Sequence, residues 1–101
     1  LYNVDGNGNR VAAMIYGPDR VIVIAGINKL VKNRQEAYER VRSIAAPANA
    51  TRLDTGTPCI KTGVCMDCKS EKRICCSYTI FGQQRHKDRM HLILVGEPLG
   101  Y

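Results

Sequence analysis

A chain of 101 residues, 45% hydrophobic and 24% charged, has the length and balance of a single small globular domain and not of a disordered polymer. A membrane-crossing helix needs about 20 consecutive apolar residues, and the longest apolar runs here are the strand-sized "VIVIAG" and "HLILVG". The net charge of +6 does not point to nucleic acid: Lys and Arg are scattered, "KSEKR" and "RHKDR" are diluted by Glu71 and Asp88, and one Phe with no Trp gives no base-stacking platform.

The chain opens on "LYNVDGNGNR", a polar, glycine-rich loop-like stretch with no Met and no export leader. A chain that begins mid-loop without Met is expected to be a processed chain, a piece expressed by itself, or a fragment of something longer. "RVAAMIY" (10–16), the turn signal Gly17-Pro18-Asp19 and "VIVIAG" (21–26) read as strand, turn and strand, joined as an antiparallel hairpin. The second run is continuously apolar and β-branched, the mark of a strand covered on both faces. Asn33, with Glu36 three residues on, starts the best helix, and Ala37, Val41, Ile44 and Ala45 form its apolar stripe. Pro47 is expected to end it near Ala45 or Ala46, with a short second helix in "PANATRL". Residues 56–76 carry no apolar period and read as a cysteine-rich loop; "CCSYTIF" and "MHLILVG" beyond it are strands.

The sum is one α/β domain over residues 1–101, a mixed sheet with flanking helices. One helix covers at most one face of such a sheet. The two-faced strand thus implies a missing layer, supplied by an absent N-terminal half, by a partner subunit, or by a second copy in a homo-oligomer.

All five cysteines lie in "PCIKTGVCMDCKSEKRICC" (58–76). Cys59, Cys65, Cys68 and Cys75 supply four sulfurs, with a C-x2-C knuckle at their centre, and suit either zinc or an iron–sulfur cluster. Adjacent strand residues face opposite ways, so Cys76 is set apart from Cys75. An odd count and no export signal disfavour a disulfide framework and agree with a cytoplasmic setting. Unligated packing thiols are the remaining alternative.

A small-molecule site is expected where loops leave the strands. Gly26, Asn28 and Lys29 follow "VIVIA" directly: Gly allows close approach, Asn offers donor and acceptor, and Lys neutralises a carboxylate or phosphate. In the expected hairpin Asn9 and Arg10 come to the same end of the sheet. The ligand this set suits is a small anionic metabolite. His86 and His91 have no accompanying nucleophile to suggest a catalytic pair.

Taken in order, "GNRVAAMIYGPDRVIVIAGINKLVK", "ERVRSIAAPANATRL", "TPCIKTGVCMDCKSEKRIC" and "HLILVGEPLGY" resemble the C-terminal half of the LUD domain, the lactate-utilisation family of bacterial LutB- and LutC-type proteins. The resemblance runs essentially end to end. It implies a fold like that of the NagB/RpiA/CoA-transferase group and a part in bacterial use of L-lactate or a related organic acid. The ferredoxin-type C-x2-C-x2-C-x3-C-P run of the longer iron–sulfur subunits is absent, and no Glu here matches a CoA-transferase nucleophile. The alternative is a non-catalytic subunit or assembly module of a larger oxidoreductase, stabilised by a metal on the four cysteines.

Overall fold

The computed structural model describes residues 1–101. In chain order the elements are strand β1 (Tyr2–Asp5), helix α1 (Asn9–Ile15), strand β2 (Val21–Gly26), a tight turn at Ile27–Lys29, helix α2 (Arg34–Arg40), a widened helical turn at Val41–Ala45, helices α3 (Ala46–Arg52) and α4 (Cys59–Thr62), and strands β3 (Ser77–Ile80) and β4 (Met90–Val95). The expected α/β class with flanking helices is found. Its strands divide into two ladders: β1 pairs antiparallel with β3, and β2 pairs parallel with β4. No helix is long and apolar enough to cross a membrane.

The expected hairpin over 10–26 does not form. "RVAAMIY" is helical instead, and β2 takes β4 as its neighbour. Ala12, Ala13 and Met14 favour helix, and Val11 and Met14, three positions apart, are the two residues it buries. Both ends of α1 are held by side chains distant in sequence or outside the helix. At the start, the Asp5 carboxylate accepts the N–H groups of Gly8 and Val11, each at 3.2 Å. At the end, Arg89 donates to the carbonyls of Met14 (2.8 Å), Ala13 (3.2 Å) and Pro18 (2.9 Å), satisfying groups that the helix leaves without partners. Gly17, at φ 113°, then turns the chain out.

Burial raises the Asp5 carboxyl, but the N–H groups of Gly8, Val11 and Asn7 and the charge of Arg10 outweigh it and hold it below the usual carboxylate range. A depressed folded-state value means that Asp5 stabilises the fold above its unfolded pKa and ceases to do so as pH falls through the folded one. Asp5→Asn should therefore melt below the wild type at neutral pH, with the gap closing in acid. Thermal melts across that range check this; a gap that persists at the acid end excludes the charge as its cause.

Asn33 caps α2 as expected, its Oδ1 accepting the Glu36 N–H at 2.9 Å, while Glu36 accepts the Lys32 N–H at 2.8 Å. The helix does not stop before Pro47. A turn of the wider i→i+5 type at Val41–Ala45 leads straight into α3, where Pro47 lies in the first turn. Such a turn, together with first-turn placement, accommodates a ring and a missing N–H that a regular helix would not. The opening residues also differ from expectation. "YNVD" is a strand, in register Tyr2 with Ile80 and Asp5 with Ser77, and Tyr2 meets Tyr78 edge-on at 6.3 Å between ring centres.

Only nine of 101 residues are buried, so these elements do not close a core on their own. The parallel ladder makes this plain. By alternation Val23, Ala25, Leu92 and Leu94 face a broad groove, with Leu92 and Leu94 still 50% and 48% exposed, while Ile22, Ile24 and Ile93 on the other face are 64%, 61% and 48% exposed, Ile24 also reaching the groove's edge. Parallel ladders are ordinarily covered on both sides.

Candidate functional site

The groove beneath the parallel ladder is bounded by β1, β2, α2 and β4 and has a volume of about 780 Å³. Its walls are largely apolar. Its charged side chains are Arg10, Lys29, Arg34 and Arg40, with no Asp or Glu among them. Two of these cations are committed within the fold. Arg10 donates to Asn3 Oδ1 and the Val4 carbonyl, each at 2.8 Å, and lies 3.6 Å from the Asp5 carboxylate. Arg40 donates to the Asn28 carbonyl at 3.0 Å. Lys29 and Arg34 carry no such bond.

Of the five expected ligand-binding residues, Arg10 and Lys29 line this groove; Asn9, Gly26 and Asn28 do not. Asn9 is the first residue of α1, and without the hairpin nothing draws it toward Lys29. Gly26 and Asn28 serve the C-terminal tail. The Asn28 amide donates to the Gly100 carbonyl at 2.9 Å and accepts the Leu99 N–H at 3.1 Å. Close backbone approach at Gly26 is real, but what approaches is the tail: a Cβ there would come within 2.5 Å of the Glu97 carbonyl oxygen and the Asn28 Oδ1. Arg34 also lines the groove, and its signal in the sequence is its place one turn ahead of Ala37 on the stripe that continues to Val41.

Four of the five cysteines meet elsewhere. Cys59, Cys65, Cys68 and Cys75 line one small cavity of about 10 Å³ beside Ala46, Ala50 and Thr57, and all are free thiols. Cys59 begins α4 and contacts Thr57 Oγ1 at 3.3 Å. Cys65 accepts the Asp67 N–H on its sulfur at 3.4 Å, across a knuckle that turns because Asp67 takes φ 49°. Two arginines brace the loop through its carbonyls. Arg73 donates to those of Cys68 (2.7 Å) and Cys75 (2.8 Å), and Arg42 to that of Cys65 (3.3 Å). Burial pushes the Cys75 thiol up, Arg73 pulls it down, and Cys65 and Cys68 add to the rise. Cys76 is exposed and directs its sulfur to the Arg73 carbonyl at 3.3 Å. The sulfurs share a cavity without being gathered: no group of three or more His, Cys, Asp or Glu side chains is already arranged to hold a metal ion.

A family model described as LUD domain matches residues 1–95. The chain belongs to the LUD domain family. No curated protein and no solved structure shows a significant match. In this LUD domain the match takes in β1 through β4, and so spans both the cationic groove and the cysteine loop.

Proposed function

We propose that this LUD domain binds a small organic acid, of the class of L-lactate, in the groove under the β2–β4 ladder, as part of organic-acid utilisation. The observation that carries the reading is the lining itself: four cations with no Asp or Glu, two of them, Lys29 and Arg34, without an internal partner. An apolar cavity of several hundred Å³ with a few convergent polar groups is the usual form of a small-molecule site. Here the charged groups are all of one sign. Their charge selects an anion, and the apolar walls accommodate its carbon skeleton. Lys29 is the point charge; Arg34 offers a planar fork suited to a carboxylate.

The test is calorimetric titration of the chain with L-lactate and with other short carboxylates, repeated on Lys29→Ala and Arg34→Ala. Each substitution should leave the fold intact and weaken binding by about 1–3 kcal/mol, the scale of a lost charge-assisted hydrogen bond. That is roughly a five- to 150-fold rise in Kd. No carboxylate binding by the wild type, or equal binding by wild type and both variants, overturns the assignment.

A further inference from the structure

We propose that Cys59, Cys65, Cys68 and Cys75 form a binding site for a single tetrahedral zinc ion, and that Cys76 is no part of it. This rests on the cysteine cavity alone and is independent of the anion reading. Four cysteines, drawn from α4, the knuckle, and the approach to β3, line one cavity, whereas the adjacent Cys76 is turned out to solvent. Spacing in sequence does not enforce this. The fold brings together residues as far apart as 59 and 75, and it excludes the neighbour of the last.

Three further features suit thiolate ligation. The Asp67 N–H points at the Cys65 sulfur at 3.4 Å, so the knuckle already orients that sulfur. Around a divalent ion, four thiolates leave two negative charges uncompensated. Arg42 and Arg73, anchored to the carbonyls of Cys65, Cys68 and Cys75, bring two positive charges alongside. Between the buried Cys59 and Cys75 none of residues 61–74 is buried, so that closing this stretch on an ion supplies restraint that packing does not; structural zinc contributes on the order of 10 kcal/mol in small domains.

Size favours the ion over a cluster. A cavity of about 10 Å³ is close to the least that admits one water-sized particle. The sulfurs are not yet gathered, so either occupant requires the loop to adjust; a lone zinc, bound at about 2.3 Å from each sulfur, requires less room than a multi-atom iron–sulfur cluster.

The chain is purified anaerobically with reductant, and zinc, iron and acid-labile sulfide are measured for the wild type and the five single Cys→Ser variants. One zinc per chain is expected in the wild type and in Cys76→Ser, and a loss of zinc in each of the other four. Because loss of zinc from a misfolded variant would prove nothing about ligation, the reduced, metal-free wild type is also titrated with Zn²⁺, alkylated, and mapped by mass spectrometry. Zinc should protect Cys59, Cys65, Cys68 and Cys75 and leave Cys76 open to modification. Iron with labile sulfide, absence of zinc from the wild type, loss of zinc in Cys76→Ser, or uniform alkylation of all five thiols in the presence of zinc each overturns the proposal.

Discussion

Gly26→Ala is expected to release the C-terminal segment from the end of β2. Gly26 lies at φ −73°, so its own backbone conformation is open to any residue. What forbids a side chain is the tail, since a Cβ would come within 2.5 Å of the Glu97 carbonyl oxygen and of Asn28 Oδ1, and closer still to the Leu99 nitrogen. Two of these are backbone atoms that cannot rotate aside. The tail must lift, and lifting it breaks both bonds of the Asn28 amide to Leu99 and Gly100. Overpacking of this kind costs about 1–3 kcal/mol, and the lost hydrogen bonds add about 1 kcal/mol each. The measurement is hydrogen exchange at the Leu99 amide together with limited proteolysis after residue 96. Protection at Leu99 equal to that of the wild type would show that the close approach is not a constraint.

The chain by itself is expected to self-associate through the outer face of the parallel ladder. Ile22, Ile24 and Ile93 lie on that face, each about half or more exposed, in a register that sets Ile24 directly beside Ile93. Full burial of an Ile side chain is worth about 1.5–3 kcal/mol, so three such residues offer several kcal/mol to whatever covers them. Nothing within residues 1–101 does so, and patches of this kind mark interaction surfaces or aggregation. Sedimentation should show concentration-dependent association, and Ile22→Lys with Ile93→Lys, neither of which lines the groove, should shift the chain toward monomer. A wild type that stays monomeric at high concentration would argue against a missing layer, as would a double variant that associates as readily as the parent.

Local chemistry alone determined the capped start of α2, since Asn33 and Glu36 need no partner beyond their own first turn, and the strands β2, β3 and β4, whose apolar β-branched content leaves little other use. Pairing was not local. Whether β2 ran beside residues 10–16 or beside β4 depended on what α1 could recruit, and its caps are Asp5 before it and Arg89 far beyond it. No window of sequence around "RVAAMIY" contains Arg89, so a stretch that by itself suits a strand as well as a helix becomes helix only in the folded chain. "YNVD" became a strand for the same reason, its partner lying at Ser77–Ile80. The candidate sites divide in the same way. Lys29 and the cysteines were legible as residue types, but the cationic groove exists only because α2 carries Arg34 and Arg40 under β2, and the cysteine cavity only because α4, the knuckle and the approach to β3 converge. Residue identity decides what chemistry is on hand; contacts spanning tens of residues decide which of it meets, and those contacts form only once loop closure and packing have been settled by the chain as a whole.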